Sequence, residues 1–300
     1  MKAAAAALPA SASRAADFLA LTKPRLNSLV VVTAGIGYYL GARAPLDLVA
    51  LAHTVVGAGL VAGAAAALNQ VAERDLDAVM TRTRQRPLPA GRVSPAEARL
   101  FALVLAVAGL GELAYAAHWT AAAVALATLV SYVAVYTPLK RRTPWATEIG
   151  AVPGALPPVI GWAAARGAAT VEAWVLFAIV FVWQMPHFHA LSRLYRDDFG
   201  RAGLPFLAVL DASGRRTAAH VLVYLCALLP ASLAPAAVGL GGAAYVAAAV
   251  LLGIAFLAVG VRFALQRSAA RARALFLASL AYLPLLWGLL VAERALGGGA

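Results

Sequence analysis

Apolar positions in this chain come in long unbroken runs, and the short segments between them hold almost all of the charge. Nine runs approach the roughly 20 residues that a helix needs to cross a hydrocarbon core. They cover about 26–43, 48–69, 98–117, 120–138, 147–165, 173–191, 219–240, 243–262 and 273–292. The runs are continuously apolar rather than alternating, which predicts helices and not the strands of a membrane barrel. The expected fold class is all-α: a polytopic integral membrane bundle of about nine helices. The fifth run is the exception to straightness. Ala151-Val152-Pro153-Gly154-Ala155-Leu156-Pro157-Pro158 sets three prolines and a glycine at membrane depth. A break is expected there, with the freed carbonyls turned toward protein or a wet cavity.

Composition agrees with the pattern. The 300 residues are 63% hydrophobic and only 13% charged, yet the formal net charge is +12. A soluble domain carries about a quarter charged residues, and a nucleic-acid binder would spread its basic groups over a polar surface that is missing here. Disorder is excluded because disordered chains are poor in apolar residues. The single cysteine, Cys226, excludes an internal disulfide and a CxxC metal or heme attachment. The excess charge is explained by sidedness. All but three of the 25 lysines and arginines fall at the N-terminus or after runs two, four, six and eight; Arg43, Arg166 and Arg294 lie on the other side. By the positive-inside rule the first set is cytoplasmic, with the N-terminus inside and the C-terminus outside. Residues 1–16 are expected to be a disordered cytoplasmic leader, 17–292 one membrane domain, and 293–300 a short tail.

Two cytoplasmic loops, roughly 70–97 and 192–218, are longer than the others and mix acids with bases. Asn69, Glu73 and Asp77 stand at i, i+4 and i+8, one face of a helix leaving the membrane. An amide and two carboxylates on one stripe suit Mg²⁺, which completes its shell with water and substrate phosphates. Arg82, Arg86 and Arg84 follow and could grip the same phosphates. The same spacing also suits a capped helix end with i,i+4 ion pairs on a solvated face; the membrane-boundary position favours the functional reading. The second loop follows Trp183-Gln184-Met185-Pro186-His187-Phe188-His189 and repeats the spacing at His189, Arg193 and Asp197, which suggests a weak internal repeat around a shared cavity. A third basic cluster, Tyr136-Thr137-Pro138-Leu139-Lys140-Arg141-Arg142-Thr143, reads either as a positive-inside anchor or as a clamp for a departing diphosphate. His53 and Glu112, in the outer third of adjacent runs, are expected to pair.

These residues resemble a family. The matching motifs are Leu21-Thr22-Lys23-Pro24-Arg25, the stretch from Asn69 through Glu73, Asp77, Met80, Arg82 and Arg86-Pro87, Tyr136-Thr137 with Lys140-Arg141 and Thr143, the Pro153–Pro158 stretch, and Trp183–Phe188. The chain is similar to the UbiA superfamily of intramembrane prenyltransferases over nearly its whole length, and to the heme-accepting branch by its Trp183–Phe188 segment. The resemblance implies a bundle around a central cavity in the cell inner membrane. It implies transfer of a farnesyl group from farnesyl diphosphate to a vinyl group of heme B with addition of water, Mg²⁺ as cofactor, and hand-off to a heme A synthase or terminal oxidase assembly. It gives Asn69, Glu73, Asp77 and Lys140 as catalytic, with Lys140, Arg82, Arg86 and Arg141 on the diphosphate. His187, His189 and Trp183 would meet the heme. Metal contacts would come from Asn69, Glu73 and Asp77, with Asp75, Asp197 and Asp198 near. One departure stands out. The second acidic motif of aromatic-acceptor members is thinned here to His189, Arg193, Asp197 and Asp198, which bears against a symmetric two-metal cage. A quinone-precursor or chlorophyllide prenyltransferase and a transporter are the competing readings; the latter predicts charges at the midplane rather than at the rim.

Overall fold

A computed structural model describes residues 13–296, so most of the expected leader lies outside the described residues. Within that leader, Ser13 accepts a hydrogen bond from the Ala16 backbone and starts helix α1, Arg14–Leu21. Next come α2 (Pro24–Gly41), α3 (Leu48–Ala72) and the short α4 (Arg74–Val79). Helix α5 (Pro95–Glu112) opens on a capping box between Ser94 and Glu97 and runs into a π-helical turn, Leu113–Ala117. Helix α6 (Trp119–Val130), a second π-helical turn (Ser131–Tyr136) and α7 (Thr137–Leu139) form one rod. The chain continues as α8 (Ala146–Ala155), α9 (Pro157–Arg166), α10 (Val171–Leu194), α11 (Arg196–Arg201) and α12 (Leu207–Leu210), and ends in three long helices, α13 (Arg215–Ala237), α14 (Ala243–Gln266) and α15 (Ala269–Leu296). Among the described residues there is no strand.

Seven helical rods are long and apolar enough to cross a membrane: α3, α5 with its π turn, α6–α7, α10, α13, α14 and α15. The other two runs expected from the sequence are helical but fall outside that set. The run at 26–43 lies in α2, an 18-residue helix whose first turns carry Arg25, Asn27 and Ser28. The run at 147–165 is divided at Leu156 into two ten-residue helices, α8 and α9. Pro157 opens α9, where its missing N–H costs nothing. Gln184 of α10 donates to the Ala151 carbonyl at 3.3 Å, so the break faces protein as expected.

The break is held by close backbone packing. A Cβ on Gly161 would stand 1.8 Å from the Ala34 carbonyl oxygen, and one on Gly37 would stand 2.1 Å from that of Pro158. Only glycine lets α2 and α9 approach so closely. Four apolar clusters result, two of them large. Trp162, Leu176, Ile179, Trp183, Phe256 and Leu286 belong to the larger, among α9, α10, α14 and α15. Ala58, Val61, Ala64, Leu113 and Ile160 belong to the smaller, around α3. At the opposite end from the acidic loops, His53 Nδ1 meets Glu112 Oε1 at 2.5 Å, the pairing expected from the sequence.

Gly161→Ala should lower unfolding stability in detergent by about 1–3 kcal/mol or more, because the added methyl group meets backbone that cannot yield. Gly111→Ala, in a helix with nothing near its Cβ position, should be neutral or stabilising by up to ~1 kcal/mol. Paired denaturation curves check the contrast.

Candidate functional site: a carboxylate–cation cluster at the helix ends

Helix α3 ends at Ala72, but its register continues through a bend. Glu73 adopts φ −110° and ψ 13° between α3 and α4, while Glu73 N–H donates to the Asn69 carbonyl at 3.0 Å and Asp77 N–H to the Glu73 carbonyl at 2.8 Å. The stripe read from the sequence therefore survives: Asn69, Glu73 and Asp77 are all buried, on one line.

Each of the three meets a cation delivered by a different element. Lys140, just after α7, lies 2.7 Å from Glu73 Oε2. Arg86, in the turn-rich segment after α4, donates to Asp77 Oδ2 at 2.8 Å. Lys23, ahead of α2, donates to Asn69 Oδ1 at 3.1 Å. Lys23 is held with a positive φ of 48°, a conformation that a non-glycine residue keeps only where its surroundings enforce it. The amide of Asn69 is fixed from its other side, because its Nδ2 donates to Thr137 Oγ1 at 3.2 Å and that hydroxyl donates to the Tyr132 carbonyl at 2.8 Å. The π turn before Thr137 brings it into reach, and such turns often sit at functional sites. It also places Tyr132 and Tyr136 side by side, ring centres 5.3 Å apart, with Lys140 Nζ 5.6 Å from the Tyr136 ring.

The electrostatics favour an anionic guest. Arg86 and Lys140 match the two carboxylates, and Lys23 adds a positive charge in excess when it is protonated. Burial, together with the nearby Arg86 and Lys140 charges, lowers Lys23 from its ordinary 10.5 to about 7. An anion brought beside it would relieve that penalty. The donor set is all oxygen, two carboxylates and an amide, which fits Mg²⁺ and not a thiophilic ion.

The other residues singled out from the sequence lie around this cluster rather than in it. Arg141 forks onto Asp75 at 2.8 and 3.1 Å and donates to the Ala72 carbonyl. The Asp75 side chain is 70% exposed, and its pKa is lowered chiefly by that hydrogen bond. Arg82 stacks over Tyr195 at 5.2 Å. Asp197 is exposed, and Asp198 pairs with Arg201 while accepting from Thr81 N–H at 3.4 Å. The two long loops thus touch. They are also shaped alike, since α10 bends at Tyr195 (φ −108°, ψ 25°) into short α11 much as α3 bends into α4.

His187 and His189 part company. Two residues along a helix is a turn of about 200°, and the side chains leave α10 on different faces. His187 stacks on Trp183 (5.1 Å, 24°) and meets Ser279 Oγ at 2.8 Å. Ser279 gives its hydroxyl proton to the Phe276 carbonyl, so it accepts from His187 Nδ1–H and leaves Nε2 with its lone pair. Trp183 Nε1–H donates to the Ser279 carbonyl at 2.8 Å, which fixes the stack. His189 is buried and faces His220 instead, ring centres 5.5 Å apart. Lys23, Thr137, Ser279 and His220 were not singled out as site residues from sequence. For Lys23 a signal existed: a lone lysine before Pro24 at the start of an apolar run.

A bundle of apolar helices with buried carboxylates and cations at one end is an arrangement suited to the anionic head of a lipid-like substrate. The UbiA prenyltransferase family model matches residues 29–292, and the chain belongs to that family. It is 46% identical over 287 residues to a protoheme IX farnesyltransferase of Solibacter usitatus, covering 93% of this chain and 98% of that one. The fold is similar to that of a digeranylgeranylglyceryl phosphate synthase, at a TM-score of 0.79 and 14% identity over 94% of this chain and 98% of that one. It is also similar to a UbiA homolog from Archaeoglobus fulgidus bound to DMAPP and Mg²⁺, at a TM-score of 0.64 and 14% identity over 92% and 99%.

An anion bound beside Lys23 favours its protonated form, whose pKa without that anion is about 7. Affinity for an unreactive prenyl thiodiphosphate should therefore fall as pH rises through about 7. In Lys23→Met that part of the pH dependence should vanish. Titration calorimetry of both proteins across that pH range checks it.

Proposed function

We propose that the protein makes heme O: it transfers the farnesyl group of farnesyl diphosphate to a vinyl group of heme B, with addition of water. The observation that carries this reading is the buried row Asn69, Glu73 and Asp77 with its three cations, in a chain nearly half identical to a protoheme IX farnesyltransferase.

Farnesyl diphosphate places its diphosphate against Lys140, Arg86 and Lys23, with Arg82 and Arg141 at the rim, and its chain among the apolar helices. Asn69, Glu73 and Asp77 would hold Mg²⁺, which would offset the charge that builds up on the diphosphate. Asp75, Asp197 and Asp198 belong to the outer ring of this reading, Asp75 paired with Arg141, Asp198 with Arg201, and Asp197 exposed. The allylic C–O bond breaks and its electron pair leaves with the diphosphate, whose charge Lys140 and Arg86 stabilise. The faces of Tyr132 and Tyr136 stand beside Lys140, suited to an allylic cation. The terminal carbon of the vinyl group attacks that cation through its π pair. Water then adds to the vinyl carbon nearest the ring and loses a proton, which leaves a hydroxyethylfarnesyl group. Exclusion of bulk water by the helices protects the cation before the vinyl group reaches it.

For the acceptor, His187 is the favoured heme contact, with its Nε2 lone pair free and Trp183 fixing the ring's orientation. His189 faces away from His187 and is the weaker candidate of the two. The acidic loops lie on the cytoplasmic side of the cell inner membrane in this reading, with nine passes, the N-terminus inside and the C-terminus outside. Hand-off of heme O to a heme A synthase or terminal oxidase assembly is the corresponding fate of the product.

Expression in a host without heme O, followed by chromatography of extracted hemes, tests the reading. Heme O should accumulate at the expense of heme B. Glu73→Gln, Asp77→Asn and Lys140→Met should each lower that output at least about a hundredfold, the scale of losing one charge-stabilising contact. Unaltered heme B with the wild-type chain would overturn the acceptor assignment. Full output from all three variants would overturn the site.

A further inference from the structure

A second group of ionisable side chains lies apart from the acidic row. Glu148 in the first turn of α8, His189 on α10 and His220 on α13 place one ligand atom each within 4.8 Å of one another. Their arrangement is not that of a simple ion pair. His220 Nδ1 stands 3.8 Å from Glu148 Oε1, beyond hydrogen-bond reach. Three buried atoms, Glu148 Oε2, His189 Nε2 and His220 Nδ1, have no hydrogen-bond partner. Buried polar atoms are almost always paired, and three residues that converge within 4.8 Å, each with one unpartnered buried atom, call for a common partner. His189 is itself only 2% exposed.

Helix α8 separates this group from the acidic row. The Cβ position of Gly150 faces the Tyr136 ring at 2.5 Å, whereas Glu148, two residues and about 200° earlier, faces α10 and α13. Two imidazoles and one carboxylate are a donor set for a borderline divalent ion such as Zn²⁺, and a poor one for Mg²⁺, which prefers oxygen throughout. A porphyrin does not fit here, because three donors from three packed helices converge within 4.8 Å and leave no room for its plane. Arg193 lies one turn beyond His189 and directs its guanidinium to the Arg267 carbonyl at 3.5 Å. Trp145 and Tyr224 flank His220, with ring centres 6.3 and 6.5 Å away.

We propose that Glu148, His189 and His220 form a site for a borderline divalent transition-metal ion, of the Zn²⁺ class, that ties α8 to α10 and α13. Three protein ligands leave a fourth position open. Such an ion would fasten the first half of the broken fifth rod, which the Leu156 break separates from α9, to the second half of the bundle. The inference does not depend on the reaction proposed above, and its readout is metal binding rather than turnover.

The test uses the full chain in detergent, prepared free of heme, stripped with EDTA and titrated with Co²⁺ as a spectroscopic probe. One equivalent should give visible ligand-field bands that Zn²⁺ abolishes by competition and excess Mg²⁺ leaves in place. Glu148→Gln and His220→Ala should each weaken Co²⁺ binding about tenfold or more, the scale of disturbing a metal's ligand sphere, while Glu73→Gln leaves it unchanged. His220→Cys keeps a ligand and should add a thiolate-to-Co²⁺ charge-transfer band absent from the wild type, whose Cys226 lies six residues further along α13, on another face of the helix, and is exposed. That variant decides the matter should His220→Ala fail to fold. No bands in the wild type, no new band in His220→Cys, or bands that vanish in Glu73→Gln would each overturn the proposal.

Discussion

Two carboxylates buried at the end of an apolar helix have to be compensated, and much of the chain's path near them serves that need. An uncompensated buried charge costs several kcal/mol, so Glu73 and Asp77 could not stay inside without Lys140 and Arg86. Lys140 arrives because the α6–α7 rod, after the chain returns along α5, runs in the same direction as α3 and ends at its level. Arg86 arrives because the chain after α4 folds back as turns, anchored by Leu88 and Val93 in a small core with Leu21 and Ala102. Asp17 holds Arg92 in the same segment at 2.9 Å. Lys23 takes a left-handed backbone to reach Asn69. In the proposed reading the positive charges thus have two roles: most orient the bundle in the membrane, and a few form a preorganised anion site inside it.

The same constraint explains why the site is basic overall although its motif is acidic. Cations in excess of carboxylates leave room for a guest of net negative charge, and the lowered pKa of Lys23 reports how poorly a third cation is tolerated without one. Aromatic faces adjoin the cations through a π turn, so anion and developing cation would be served within one short stretch, Tyr132 to Lys140.

Much of this was legible in the sequence, because apolar run length and i, i+4, i+8 spacing are one-dimensional signals. The all-helical bundle, the break near Pro157, the Asn69–Glu73–Asp77 row and the His53–Glu112 pair follow from such signals, whereas Lys140 and Arg86 were expected against a diphosphate and are found against Glu73 and Asp77. What escaped depends on rotation about helix axes and on contacts between distant segments. His187 and His189 look like one motif in the sequence, yet 200° of helix separates their surroundings. Asp75, Asp197 and Asp198 share the acidic character of the motif but stand with their own partners or in solvent. Glu148 and His220 sit in ordinary apolar contexts, and only the packing of α8 against α10 and α13 brings them to His189. Run length alone does not separate α2, with its polar first turns, or the broken fifth rod from the seven rods that meet the length and apolarity of a full span.

The central claim is that the Asn69–Glu73–Asp77 row holds a divalent ion against the substrate's diphosphate. Electron–nuclear double resonance with Mn²⁺ in place of Mg²⁺ and farnesyl thiodiphosphate bound measures it directly, through phosphorus hyperfine coupling to the metal. The wild-type protein should show that coupling, and Glu73→Gln and Asp77→Asn should abolish it or reduce it to the level of free Mn²⁺–thiodiphosphate. Undiminished protein-bound coupling in both variants would contradict the account.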